Sequence, residues 1–411
     1  MKILFITDNF PPEVNAPATR TYEHAKEWVK NKNVEVTILT CVPNFPHGKV
    51  YNGYKNKLYQ IEYKDGIKII RVWSYITSNS GFIKRVLDYI SFALSAFVVG
   101  LFQKTDVIVA TSPQFFTTWA GWGLSKVKRK PWIFELRDLW PESIKTVGAM
   151  KQGKVIEILE KIELALYKDA NKVIAVTDAF KTNLINRGIE KDKIEVVTNG
   201  ANIELFKPRE KDTKLLKELN LEDKFIVGYI GTHGMAHSLD FIVNSLSKIT
   251  DESIHFLFIG DGAMKQTIVE LAKKLQLKNV TFLDPIAKEE VPRYLSVCDI
   301  SLAPLKKEDN FKTVIPSKIF EASAMLKPTL LGVEGQAQEI IENYNAGLCF
   351  EPENERDFLE KLVKIKNDRS LYKQLQDGCK KLVVEYDRKI LANQMFYLFL
   401  ECEKRLLFAK K

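Results

Sequence analysis

The sequence predicts an α/β protein made of two doubly wound domains, and three observations carry that prediction. Short apolar runs with strand character recur along the chain, and stretches long enough for a crossover helix separate most of them. The 411 residues exceed what one hydrophobic core usually organises. The strand runs also restart after a polar interval at 201–224, which sets a boundary near residue 200.

In the first domain, residues 2–7 (KILFIT) form a strand ended by Asp8, so MKILFITDNF reads as a strand and not as a signal peptide. A helix over 18–31 and a strand at 34–40 complete a βαβ unit, whose crossover requires parallel strands. The loop D-N-F-P-P-E-V-N-A-P-A-T-R then lies at the carboxyl end of a strand, where doubly wound sheets bind ligands. It lacks a G-x-G-x-x-G dinucleotide fingerprint. Strands follow at 68–73, 106–111, 131–136, 172–177 and 194–198. Directly after 131–136 comes R-D-L-W-P-E-S, which puts Arg137, Asp138 and Glu142 at the end of an apolar strand. Charges there need partners or a task; an Arg137–Asp138 ion pair is the plainer alternative. Residues 82–104 break the alternation, with no charge from Tyr89 to Gln103. The segment is too short to span a bilayer. It is either a buried helix or one whose apolar side, Phe92 and Phe97 included, dips into a membrane interface.

The second domain starts with a strand at 225–230 that runs into G-T-H-G. Backbone N–H groups from Gly231 onward are placed to hold a phosphate. His233 and His237 are four apart, but no third ligand is close in sequence and H-E-x-x-H is not matched, so no metal is expected. Strands at 255–259, before the G-D-G turn, and at 280–283, 299–303 and 329–333 continue the pattern. Charged helices from about 354 end near Phe396, Tyr397, Phe399 and Leu400, an apolar face that needs a partner. Residues 313–328, T-V-I-P-S-K-I-F-E-A-S-A-M-L-K-P, read as a helix entered at Pro316 and Ser317 and stopped by Pro328. Lys318 and Glu321 share one face of it. They suit a diphosphate and a ribose, or else form an ordinary i,i+3 ion pair.

Charge is uneven. Residues 1–200 carry 29 Lys and Arg against 20 Asp and Glu, whereas residues 201–411 carry 32 of each, so the net +9 lies in the first domain. That points to an anionic partner such as a membrane surface or a phosphorylated acceptor, and no basic-aromatic motif points to nucleic acid. Five scattered cysteines without C-x-x-C indicate a reducing compartment.

Taken in order, the F-P-P-E loop, N-F-P-H-G, R-D-L-W-P-E-S, T-N-G-A-N-x-E-L-F, G-D-G-A-M-K and P-S-K-I-F-E-A-S-A-M-L-K-P resemble a retaining glycosyltransferase of family 4 over essentially the whole chain. The pattern is similar to bacterial O-antigen, capsule and colanic-acid enzymes of the N-acetyl-L-fucosamine transferase type. The resemblance implies the GT-B fold, two Rossmann-like domains facing a central cleft. Residues 1–200 would bind the acceptor, with a C-terminal helix at about 388–411 packing back on them, and residues 201–387 the nucleotide sugar. It implies transfer from a UDP-linked N-acetylated deoxyhexose or hexosamine, with retention and without metal or other cofactor. The acceptor would be a polyprenyl-diphosphate-linked saccharide of surface polysaccharide synthesis, met at the inner face of the cell membrane by a cytoplasmic, peripheral protein.

Under this resemblance Lys318 holds the diphosphate and Glu321 the ribose. Gly231, Thr232, His233, Gly234, Gly260, Asp261, Pro316 and Ser317 line the donor site, and the turn with Pro285 and Ile286 holds the base. Asp138 orients a sugar or acceptor hydroxyl, and Arg137 or Arg20 reaches the diphosphate. Asn15, Ala16, Arg20 and Glu142 lie on the acceptor side. Four motifs depart from the family pattern: Thr232 and His237 replace an Arg and a Lys, Thr313 replaces the first Glu of E-x7-E, Asn15–Ala16 replaces Gly-Gly, and Arg137–Asp138 replaces H-D. Two alternatives stay open: a UDP-sugar epimerase on the same fold, or, given the missing cations, a non-catalytic membrane partner of a glycosyltransferase.

Overall fold

Apolar strand runs build two separate sheets, parallel but for one edge strand, in the computed structural model, which describes all residues except 46, 78–81, 113, 140–152 and 409–411. The chain divides into two compact units, Met1–Thr198 with Lys389–Lys411, and Asn199–Arg388.

The first unit holds β1 (Lys2–Ile6), β2 (Glu35–Cys41), β3 (Tyr59–Lys64), β4 (Ile67–Val72), β5 (Val107–Thr111), β6 (Trp132–Leu136), β7 (Lys172–Ala175) and β8 (Ile194–Val196), in the sheet order β3-β4-β2-β1-β5-β6-β7-β8. The apolar strands β1, β5 and β6 are buried almost throughout, as a sheet covered on both faces requires. The sequence reading missed β3, which pairs antiparallel to β4 through Asp65–Gly66, both at positive φ. Its residues are mostly exposed, so it lacks the apolar run that marks the other strands. The helices Phe82–Leu101 and Phe115–Lys128 pack on each other and feed one core with Phe92, Ala96, Phe115 and Leu124. On the opposite core, Trp28 of the helix Ala16–Trp28 donates its indole N–H to the Ala392 carbonyl at 2.8 Å and meets Phe399 edge-on. The terminal helix Arg388–Phe408 thereby buries Leu391, Met395 and Phe399.

The second unit holds β9 (Phe225–Ile230), β10 (Ile254–Ile259), β11 (Val280–Leu283), β12 (Ile300–Pro304), β13 (Thr329–Gly332) and β14 (Gly347–Cys349), all parallel, in the order β11-β10-β9-β12-β13-β14. Counted within the unit this is 3-2-1-4-5-6, the doubly wound Rossmann order. The sequence reading did not assign β14, whose three residues are too few to show a pattern. Winding reverses between β9 and β12, so the crevice beyond their carboxyl ends is where such a sheet receives ligands.

The helix of the 313–328 stretch is shorter than the sequence suggested, Lys318–Ala324. Ser317 makes no side-chain cap, and the helix ends through Leu326 at φ 56° with the Lys327 N–H returned to the Ala322 carbonyl, before Pro328 is reached.

Candidate functional site

The switch point of the second unit gathers residues from three connections. After β9 the chain turns at Gly231, φ 147°, and after β10 at Gly260, φ 144°. A Cβ on Gly260 would stand 1.9 Å from the Gly231 carbonyl oxygen, so the two turns touch through bare backbone. Parallel pairing continues past the strands: Gly231 N–H donates to Ile259 O and His233 N–H to Asp261 O, at 2.9 and 2.8 Å. These two amides, expected to cradle a phosphate, are therefore spent within the fold. Thr232 and Gly234 keep that expectation for the loop. Asp261 is exposed and its carboxylate accepts the Gly262 N–H, while Lys265 of the G-D-G-A-M-K motif ties the Gly260 and Leu283 carbonyls together.

Lys318 enters this crevice from the connection after β12. Its Nζ sits 3.6 Å from the centroid of the Tyr229 ring, and a Cβ on Gly231 would lie 3.3 Å from it. Tyr229 is fixed by its hydroxyl, which donates to the Thr232 carbonyl at 2.6 Å. The alternative i,i+3 pair does not form: Glu321 takes Lys288 instead, and Lys288 also stands over the Phe206 ring. Among the described residues Lys318 has no ion-pair partner. Loss of hydration brings its ammonium down to about 7, with Glu321 opposing the shift. The site thus presents a cation backed by an aromatic face and lacking a counter-ion.

His233 is fully buried among Tyr229 and Phe258, and both its ring nitrogens lack partners. His233, expected to line the donor site, packs behind the Gly231 turn against these two rings. Burial first, then Lys265 and Lys318, push its pKa down to about 4; burial and Lys318 do the same to His237. Both imidazoles are neutral at physiological pH. Among the described residues no group of three His, Cys, Asp or Glu could hold a metal ion. Pro316 and Ser317 flank the start of the Lys318 helix, half-buried, and Pro285 with Ile286 follows β11, Pro285 exposed. Sequence reasoning missed Tyr229 and Lys288. Tyr229 reads as an ordinary strand residue, and Lys288 lies 33 positions from the carboxylate it meets.

In the first unit the expected cations are committed elsewhere. Arg20 Nε and Arg137 Nη2 grip opposite oxygens of Glu135 at 2.9 and 2.7 Å, with all three side chains under 10% exposed. Arg20 also donates to the Val197 and Thr198 carbonyls, and Arg137 to Pro17 O and Thr21 Oγ1. Burial raises the Glu135 carboxyl, but Arg137 and Arg20 outweigh it and hold it below the usual range. Arg137 therefore pairs with Glu135 and not with Asp138. Asp138 is half-buried just past β6, its backbone N–H and carbonyl both meeting Ser112 Oγ. Asn15 caps the helix that begins at Ala16, accepting the Ala18 N–H at 2.9 Å. Glu142 lies outside the described residues.

One residue joins two of the sequence motifs. Glu13 of the F-P-P-E loop accepts the N–H groups of Asn44 and Phe45 at 2.8 Å, and that of Phe10 at 3.2 Å. Burial nevertheless pushes its carboxyl up to about 7, and Asp8 adds to the shift.

Comparison with known proteins agrees with this anatomy. Residues 17–205 match the family model described as Glycosyltransferase Family 4, and residues 210–382 match the one described as Glycosyl transferases group 1. A relative in Escherichia coli (strain K12), WcaI, described as a colanic acid biosynthesis glycosyl transferase, is 24% identical over 86% of this chain and 89% of its own length. The N,N'-diacetylbacillosaminyl-diphospho-undecaprenol alpha-1,3-N-acetylgalactosaminyltransferase of Campylobacter jejuni is 26% identical over 60% of this chain and 63% of its own. The crystal structure of Anabaena HepE in complex with UDP and glucose superposes with a TM-score of 0.73 at 18% identity, covering 98% of this chain and all of that one. The shared fold is GT-B, two Rossmann-like domains.

Proposed function

We propose that this chain, a glycosyltransferase carrying a Glycosyltransferase Family 4 domain followed by a glycosyl transferases group 1 domain, moves a sugar from a UDP-linked donor to a lipid-linked saccharide. The sugar is an N-acetylated deoxyhexose or hexosamine, and its anomeric configuration is retained. The observation that carries the reading is Lys318: a cation on the Tyr229 ring, at the switch point of a Rossmann sheet, whose neighbouring carboxylate is already paired. A nucleoside diphosphate supplies the missing counter-charge. The UDP in the HepE complex supports the uridine nucleotide, and the diphospho-undecaprenol acceptor in the Campylobacter enzyme's name supports the lipid-linked acceptor. Surface-polysaccharide synthesis is supported by the colanic acid relative.

In the proposed mechanism the bond between the anomeric carbon and the diphosphate oxygen breaks as the acceptor oxygen attacks from the same face. The acceptor's hydroxyl proton passes to the departing diphosphate. Lys318 and the backbone N–H groups of Thr232 and Gly234 stabilise charge as it develops on that leaving group, which is how preorganised donors lower a barrier most. Positive charge thus comes from a side chain, and the transfer needs no metal or other cofactor. The second oxygen of Glu321 keeps acceptor capacity for a ribose hydroxyl, and Asp138 orients the acceptor hydroxyl.

The test is incubation of the enzyme with a panel of UDP-sugars and an undecaprenyl-diphosphate saccharide, with chelator present. The expected products are UDP and an extended lipid-linked glycan whose new linkage has the donor's anomeric configuration by NMR. Isomerised UDP-sugar without acceptor, or inversion, would contradict the proposal.

A further inference from the structure

We infer that β3 is a dimerisation edge: two copies of this chain pair their β3 strands antiparallel about a twofold axis and join their first sheets into one. β3 is the longest of the described edge strands, six residues against three, four and three for β8, β11 and β14. Its ladder to β4 runs from Tyr59–Val72 to Lys64–Ile67 without a bulge, and it contains no proline. Two of the usual devices that stop an edge from pairing further are thus absent from it. Its two faces differ. On one, Glu62 pairs with Arg71, and the Lys64 ammonium stands 4.9 Å from the centroid of the Tyr22 ring. On the other, Tyr59, Ile61 and Tyr63 are 51, 42 and 72% exposed, although Val72 and Ile70 opposite the first two are buried. The helix Phe82–Leu101 covers that face over β2 and β4. Its Phe92 is buried and its Phe97 packs partly buried against the same core, so neither faces outward as the sequence suggested. The apolar side of β3 lies past this cover.

Backbone geometry turns the same three residues outward. The Leu58 carbonyl accepts the Trp73 N–H at 3.2 Å, so these two face each other as a hydrogen-bonded pair. Alternation along an antiparallel ladder makes Gln60–Arg71, Glu62–Ile69 and Lys64–Ile67 the next such pairs. The last of them closes the two-residue turn Asp65–Gly66, where both residues have the positive φ that a tight hairpin needs. The N–H and C=O groups of Tyr59, Ile61 and Tyr63 therefore point away from β4, along the open edge.

Self-complementarity identifies the occupant as a second copy. With the twofold axis at Ile61, Ile61 meets its counterpart in the second copy, and each Tyr59 meets the other copy's Tyr63. All three pairs can then exchange both N–H···O bonds. On the bare face the register lays four tyrosines around two isoleucines, the aromatic and β-branched neighbours that stabilise a sheet. On the other face Glu62 comes opposite Gln60 and Lys64 opposite Leu58, so no like charges stand directly opposed. Sliding the pairing by two residues one way would set Glu62 against Glu62. Sliding it the other way would pair Tyr63 with Lys57, which lies outside β3. Charge and strand length thus select the register with Ile61 on the axis. The same surface serves both copies, as a closed twofold assembly requires. A short strand pair is a small interface, so the dimer is reversible.

Dimerisation is independent of the donor chemistry, and its test uses no sugar nucleotide. Equilibrium sedimentation of the full chain should show a monomer–dimer equilibrium that shifts with concentration. Ile61→Lys sets two ammonium groups against each other on the axis and should weaken the dimer at least ~10-fold. Cross-linking checks the register. Residues paired through hydrogen bonds have Cα atoms about 5.5 Å apart, within disulfide range. Ile61→Cys should therefore give a disulfide-linked dimer under mild oxidation. Tyr59→Cys alone should not, because its counterpart lies four residues further along, roughly 13 Å away. Adding Tyr63→Cys to Tyr59→Cys should restore the link. The wild type, whose five cysteines are buried or half-buried, is the control. Ile61 is exposed, so the thermal midpoint of Ile61→Lys should hold. Should it fall, Tyr63→Ser at the most exposed of the three positions provides an independent variant with the same direction of effect. A wild type that stays monomeric across the micromolar range, a dimer that Ile61→Lys leaves as tight, or Tyr59→Cys cross-linking as readily as Ile61→Cys would each overturn the inference.

Discussion

Lys318 draws its chemistry from its neighbours. The Tyr229 ring favours the ammonium by roughly 0.5–2 kcal/mol, but lost hydration works against it and brings its pKa to about 7. A cation held that close to neutrality gains most from a ligand that carries negative charge. In the proposed mechanism that charge grows on the leaving diphosphate, so Lys318→Ala should cut turnover by about 10²–10³-fold, the scale for losing one strong oxyanion donor. Steady-state transfer assays with the donor identified by the UDP-sugar panel check this. The residue types were visible in the sequence, since Lys318 and Glu321 stood out by spacing. Their partners were not. An i,i+3 pair is a local expectation, whereas Tyr229 and Lys288 reach the site from other parts of the sheet and its connections, and single-sequence spacing carries no information about that.

At the scale of elements, the first unit is pinned by Glu135. This buried carboxylate at the end of β6 holds Arg20 from the first helix and Arg137 from the following loop, and Arg20 in turn holds the chain beyond β8 through two carbonyls. Glu135→Gln leaves two guanidiniums facing each other without a counter-charge. We expect it to destabilise this unit by about 3–5 kcal/mol. All six tryptophans lie in residues 1–198, so urea unfolding followed by tryptophan fluorescence reports on this unit. A midpoint within error of wild type would contradict the assignment. Arg137 looked catalytic in the sequence because a charge at the end of an apolar strand needs a partner or a task. The competing explanation, that it neutralises a glutamate inside that same strand, depends on Glu135 facing inward, and this became evident only from the sheet. The missed β3 is the converse case: an edge strand with most residues in water has little hydrophobic signal.

For the whole molecule, the fold was legible because it rests on repetition, and the family because its motifs follow one another in order. All the described strands but β3 and β14 follow from apolar runs, and their parallel pairing follows from the crossovers between them. The 3-2-1-4-5-6 order of the second sheet locates its crevice. That order brings the distant Gly231 and Lys318 together, and it is the reason a diphosphate is proposed there. The central claim is that Lys318 is the diphosphate's counter-charge, and its protonation gives the most direct test. On this proposal the diphosphate binds the charged amine, so affinity should be full below about pH 7 and fall as pH rises through that value. Calorimetric titration with UDP from about pH 6.5 to about pH 8.5 should show affinity weakening on the order of tenfold for the wild type. For Lys318→Ala it should show weaker binding with no such slope. Equal affinity and equal slope in the two proteins would contradict the account.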